Sequence, residues 1–175
     1  MELELKRGGR TARVETLGGE LVSYRDERGL EYIWGGDPAY WPGRNPLLFP
    51  IVGMLKEGKI RFDGREYAME RHGFARRREF TPAARGEDWV RLELRESAET
   101  LALYPYSFRL EVEQRLTDTG FSTAVTVANP GEGPLPFCLG AHTGFRCPLE
   151  AGERFEDYEL VFPERESCPT LLLRD

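Results

Sequence analysis

Little in this sequence offers a covalent or metallic staple. Its three cysteines, Cys138, Cys147 and Cys168, are odd in number, and their spacings match neither a zinc site nor a thioredoxin-type pair. They read as reduced thiols used for packing. Histidine is scarcer still. His72 and His142 are the only two, in no His-x-His or His-x-x-x-His arrangement, so no metal is expected. Serine nucleophile elbows and phosphate-cradling glycine loops are missing as well, which removes two large classes of enzyme.

Long apolar runs are also absent. The longest, around Leu47 to Leu55, falls well short of the ~20 residues a membrane helix needs, so no membrane association is expected. The opening residues, Met1-Glu2-Leu3-Glu4-Leu5-Lys6, hold no basic leader followed by an apolar core, and no signal peptide is expected. A basic face is lacking too. Net charge is -6 and the sequence pI is about 5.2, with arginines interleaved among glutamates, which argues against nucleic acid as a partner. The combined expectation is a soluble cytoplasmic protein. At 175 residues the chain suits one domain that buries roughly 70% of its unfolded surface.

Helical periodicity is the remaining absence, and strand signals take its place. Leu3 and Leu5 alternate with Glu2, Glu4 and Lys6, and Ala12 and Val14 with Arg13 and Glu15, the pattern of half-buried strands. Gly18-Gly19 marks a turn before strands at 21–24 and 30–34. A loop over 35–43 carries Tyr40 and Trp41, whose rings face either the core or a ligand, with the core favoured. Residues 59–69 predict a hairpin around Asp63-Gly64, a pair suited to the positive φ angles of a type I′ turn. Arg77 to Phe80 lead into a loop. Val90, Leu92 and Leu94 share one face of a strand, and Ser97 to Leu101 suit one helical turn. Phe108, Leu110, Val112 and Leu116 face one way on a long strand that turns at 117–120 and returns through Phe121 to Ala128, a hairpin with one wet face. Tyr158 to Phe162 is the last strand candidate. Short strands, close turns and almost no helix indicate a sandwich or barrel of antiparallel sheets.

The chemistry-bearing residues gather in two places. The stretch Asn45 to Arg76 joins an apolar run, the hairpin and the cluster His72-Gly73-Phe74-Ala75-Arg76; far along the chain lies Gly140-Ala141-His142-Thr143-Gly144-Phe145. Each histidine reads either as a proton-transfer group in surroundings that limit solvation or as a satisfied structural residue. Arg76, Arg77 and Arg78 either grip an anion or form a solvated face, and of the three only Arg76 stands close to His72 in sequence.

Taken in order, Asn45-Pro46-Leu47-Leu48-Phe49-Pro50-Ile51-Val52-Gly53, the hairpin, His72-Gly73-Phe74-Ala75-Arg76, and Gly140 to Phe145 followed by Pro148-Leu149 resemble the aldose 1-epimerase (galactose mutarotase) family in its LacX-like branch. The resemblance covers nearly the whole chain. It implies an all-β fold, the antiparallel β-sandwich called the galactose mutarotase-like supersandwich, with residues 1–175 forming a β-sandwich domain truncated at its C-terminus. It also implies interconversion of the α and β anomers of an aldose or aldose phosphate, with no cofactor. By the same resemblance His142 is the proton donor and His72 the second histidine, binding near the ring oxygen. Arg76 touches a sugar hydroxyl or a phosphate. Asn45, Phe74 and Trp41 complete the substrate-binding candidates, although core packing is the stronger expectation for the two aromatic rings. Two departures stand out. Met54 occupies a position where the family usually has a substrate-contacting arginine, and the family's glutamate base has no counterpart before Asp175. An incomplete sandwich exposes sheet edges, so the expected partners are a sugar together with another copy of this chain or a separately encoded C-terminal part. A carbohydrate-binding protein without turnover is the alternative.

Overall fold

The computed structural model describes residues 1–165 and 167–169. Eleven strands, one α-helical turn and three 3-10 turns follow one another along the described chain. The first three, β1 (Glu2–Arg7), β2 (Arg10–Glu15) and β3 (Glu20–Arg25), form an antiparallel meander. Leu3 pairs with Val14 and Leu5 with Ala12, and all four side chains are buried. The period-two pattern thus sets which face of this sheet is dry.

A second antiparallel sheet has the order β10-β9-β8-β7, built from β7 (Thr81–Arg85), β8 (Trp89–Arg95), β9 (Arg109–Leu116) and β10 (Phe121–Ala128). Val90, Leu92 and Leu94 on β8 and Leu110, Val112 and Leu116 on β9 turn inward, into one apolar cluster shared with the first sheet. The result is a sandwich. Gln114 also points inward, at 1% exposure. Its Nε2 donates to the Gly19 carbonyl at 2.9 Å and its Oε1 accepts from Thr123 Oγ1 at 2.6 Å, so this polar residue is satisfied and joins the two sheets.

The hairpin β5 (Lys59–Phe62) and β6 (Arg65–Ala68) forms as the sequence predicts. Asp63 and Gly64 take φ of 47° and 78°. The helical turn α1 (Ala98–Leu101) is also where expected, with Ser97 and Thr100 capping each other's backbone N–H groups at 3.2 and 2.8 Å. The remaining pair is β4 (Leu47–Leu48) with β11 (Gly140–Ala141). No helix among the described residues is long and apolar enough to cross a membrane.

Several expectations are corrected. Residues 30–34 make isolated bridges rather than a strand, because the Glu31 carboxylate takes the backbone N–H groups of Tyr24 and Ile33, each at 3.0 Å, in place of ladder partners. Residues 81–85, expected as a loop, form β7. It lies at the sheet edge, and its register with β8 shifts between Pro82 and Ala84, the position in a sheet where a proline is tolerated. Tyr158 to Phe162 is not a strand; Leu160 and Val161 are exposed there and pair with no strand among the described residues. The cysteines, expected to pack inside, are all exposed.

Candidate active site

The segment from Arg44 to Gly53 is a spine with the two histidine segments attached on opposite flanks. Asn45 to Ile51 are buried throughout, so their main-chain groups require partners other than water. On one flank the chain 138–144 runs antiparallel to it. Cys138 N–H donates to the Pro50 carbonyl at 2.9 Å, His142 N–H to Pro46 at 3.1 Å and Gly144 N–H to Arg44 at 2.6 Å, with the β4–β11 pairs between them. On the other flank the N–H groups of Phe74 and Ala75 both donate to the Phe49 carbonyl, at 3.0 and 3.2 Å, and His72 N–H donates to Gly53 at 2.7 Å. One buried strand therefore carries both imidazoles, which are separated by seventy residues of sequence.

His72 is locked in place. Its backbone has φ of 67°, a left-handed conformation that costs a non-glycine residue energy and gathers at functional sites. Its Nδ1 accepts the Gly53 N–H at 3.0 Å, which places the ring proton on Nε2 and leaves that atom as a donor. Burial holds its pKa below the ordinary imidazole value, reinforced by the charges of Arg76, Arg71 and His142. The neutral form is the one that accepts from Gly53. Because the unfolded chain takes up this proton at about pH 6.5 and the folded protein does so only at lower pH, the stabilisation is complete above that value and is lost as pH falls through the folded-state pKa. In an NMR titration the His72 ring is expected to titrate below 6.5, and Arg76→Gln to move it upward. A midpoint at or above 6.5 would contradict the arrangement.

His142 is held differently. Its side chain is exposed, and no hydrogen bond among the described residues restrains its imidazole. Trp41 flanks it edge-on, with ring centroids 4.9 Å apart and planes at 61°. This approach needs Gly144, where a Cβ would stand 2.8 Å from the Trp41 ring. Trp41 is itself fixed, its carbonyl accepting Trp34 Nε1–H at 2.8 Å and its N–H donating to Asp37. Among the described residues neither His142 ring nitrogen therefore has a hydrogen-bond partner.

The other candidates divide. Asn45 is buried behind His142, where its Oδ1 accepts from Thr143 Oγ1 at 2.6 Å and its N–H donates to Glu20 Oε1 at 2.5 Å; it braces the His142 loop against β3. Arg76 is partly buried and donates from Nη2 to the Arg71 carbonyl at 3.0 Å. Phe74 lies in the core at 5% exposure, with its ring against Phe49, Tyr104 and Phe108, and has no face left for a ligand. Core packing, the stronger of its two expectations, is what occurs. Trp41, by contrast, is only partly buried and lies against the His142 ring. Met54 is 69% exposed, and Arg71 reaches over it, Nη2 to Sδ 3.8 Å. Arg71 and Thr143 were not foreseen as participants, because only the fold around the spine brings them into place. Among the described residues no group of three His, Cys, Asp or Glu side chains is assembled as a metal site.

Residues 1–173 match the family model described as aldose 1-epimerase. The chain belongs to the aldose 1-epimerase family. Its LacX-like character follows from the plasmid and chromosomal LacX proteins of Lactococcus lactis subsp. lactis, each 41% identical over 174 aligned residues that cover 96% of this chain and 58% of the relative. Among solved structures, a galactose mutarotase related enzyme from Lactobacillus acidophilus superposes with a TM-score of 0.86 at 28% identity, over 90% of this chain and 53% of that one. A galactose mutarotase-like protein from Lactobacillus casei gives 0.82 at 32% identity, over 86% and 52%. The chain spans about half the length of these relatives. Its sheets are accordingly those of the galactose mutarotase-like sandwich.

Proposed function

We propose that this protein interconverts the α and β anomers of an aldose by acid–base opening of the sugar ring. The observation that carries this reading is the pair of histidines flanking one buried spine in different surroundings. His72 is held neutral with a donor at Nε2, while the His142 ring has no hydrogen-bonded partner among the described residues and is open to solvent. In the proposed reaction His142 gives a proton to the ring oxygen as the C1–O5 bond breaks, and a base takes the proton of the C1 hydroxyl to leave the aldehyde. Rotation about C1–C2 and reclosure with the reverse proton transfers give the other anomer. His72 Nε2–H holds the sugar near its ring oxygen, Trp41 offers an apolar ring beside it, and Asn45 and Arg76 hold the two histidine segments in register.

The base is the open component. No carboxylate is hydrogen-bonded to either imidazole among the described residues, and we assign this role to a carboxylate outside them. The same observation, with Met54 unable to bond hydroxyls as a donor, favours a second reading in which the protein binds a sugar without turnover. Exchange NMR of the glucose and galactose anomers, corrected for the spontaneous rate, separates the two. Faster exchange in proportion to protein concentration is the expected result. Binding by titration with no enhancement would leave only the second reading.

A further inference from the structure

Three segments converge just beyond His142. A Cβ on Gly144 would stand 2.8 Å from the Trp41 ring, 3.0 Å from Trp34 Cβ and 3.2 Å from the Arg44 carbonyl oxygen, so a side chain has no room there. Trp34 is the residue that binds the His142 loop to the Trp41 loop. Its main-chain N–H donates to the Gly144 carbonyl at 2.9 Å, and its indole Nε1–H donates to the Trp41 carbonyl at 2.8 Å. Trp41 has little else to hold it. Its N–H, like those of Ala39 and Tyr40, turns back on Asp37 within the loop. Among the described residues the Trp34 indole gives the only hydrogen bond that ties Trp41 to anything outside 35–43. Trp34 itself stands on a fixed segment. Ile33 bridges Phe145, the Tyr32 carbonyl accepts the Arg146 N–H at 2.9 Å, and the Glu31 carboxylate joins Ile33 to Tyr24 on β3.

Resting on the anomer-exchange reading above, we propose that Trp34 is a positioning residue, whose indole N–H sets where the Trp41 ring stands against the His142 imidazole and so orients the proposed proton donor. The imidazole has no hydrogen bond to the described residues, and the Trp41 ring flanks it with centroids 4.9 Å apart. Its direction therefore follows that ring, and the ring follows the main chain that Trp34 holds. A proton donor misplaced by about 1 Å can lose about a hundredfold in rate. A hydrogen bond that never meets the sugar thus bears on the chemistry.

Trp34→Phe in the 175-residue protein tests this, because it keeps an aromatic ring and the main-chain bond to Gly144 and removes the indole donor alone. The Trp41 carbonyl left behind lies on a partly exposed loop, where water replaces the lost partner, so the variant is expected to fold. Nuclear Overhauser contacts between the Trp41 and His142 rings are expected in the native protein and should weaken or vanish in Trp34→Phe. Exchange of the glucose anomers should fall about tenfold, mainly in kcat and less in KM. In a double-mutant cycle Trp34→Phe should change exchange no further once Trp41→Ala has removed the ring. Absence of the ring contact in the native protein overturns the proposal, and that result needs no variant to fold. So does a Trp34→Phe protein with the contact and the rate unaltered, or an equal loss of rate with and without the Trp41 ring, which would make Trp34 structural only. A ring contact that Trp34→Phe removes, in a native protein that does not accelerate exchange, supports the positioning role and removes the anomer-exchange reading alone.

Discussion

Replacing His142 with alanine is expected to abolish most of the catalysed anomer exchange, by about a hundredfold or more, the usual loss when a positioned proton-transfer group is removed. The structure makes this a clean substitution. The imidazole is exposed and bears no hydrogen bond to the described protein, and its loop is held by main-chain bonds to Pro46 and Arg44 and by Thr143 on Asn45. The fold therefore has little reason to respond, and unfolding midpoints of the two proteins should coincide. His72→Ala provides the contrast. That change deletes the acceptor of the Gly53 N–H and the donor proposed to hold the sugar, so it is expected to raise KM as well as lower the rate. An exchange rate unchanged in His142→Ala, measured on folded protein, would remove His142 from the proton-donor role.

The two histidines also show how far the sequence can be read. Alternation of apolar residues marked β1, β2, β8 and β9 correctly because in an exposed-and-buried strand the pattern is the cause of the pairing face. Asp63-Gly64 located its hairpin for an equally local reason. Where side chains compete with the backbone, the pattern misleads. Glu31 takes two main-chain N–H groups and turns a predicted strand into isolated bridges, and Pro82 disguises an edge strand. Tyr158 to Phe162 has strand composition and no partner strand among the described residues, and composition cannot supply one. The site follows the same division. The blocks around His72 and His142 were legible as family-like motifs, but their meeting on opposite flanks of one buried strand is a tertiary fact. So is the reach of Arg71 over Met54, which depends on the left-handed turn at His72 and Gly73.

That turn gives the largest expected effect on stability. Gly73 has φ of 69°, and a Cβ built on it would lie 2.2 Å from the Phe49 carbonyl oxygen, 2.5 Å from its carbon and 2.7 Å from Pro50 N. None of these atoms belongs to a flexible side chain. Phe49 is fully buried, its carbonyl receives two N–H groups, and its ring is enclosed by Phe74, Tyr104, Phe108 and Phe137, so the spine cannot retreat without opening the core. A left-handed alanine costs about 1–2 kcal/mol by itself. With the backbone clash, Gly73→Ala is expected to lose about 3–5 kcal/mol in urea unfolding. Gly64→Ala isolates the first component, because Gly64 has φ of 78° with open space around it, and it should cost only about 1–2 kcal/mol. Equal losses in the two variants would show that the close approach to Phe49 is not structural. Any Gly73→Ala protein that remains folded should carry a second signature. The turn holding His72 must move off the spine, the Gly53 bond to Nδ1 must lengthen, and the His72 titration should rise toward 6.5, coupling the packing of the core to the protonation state of the site.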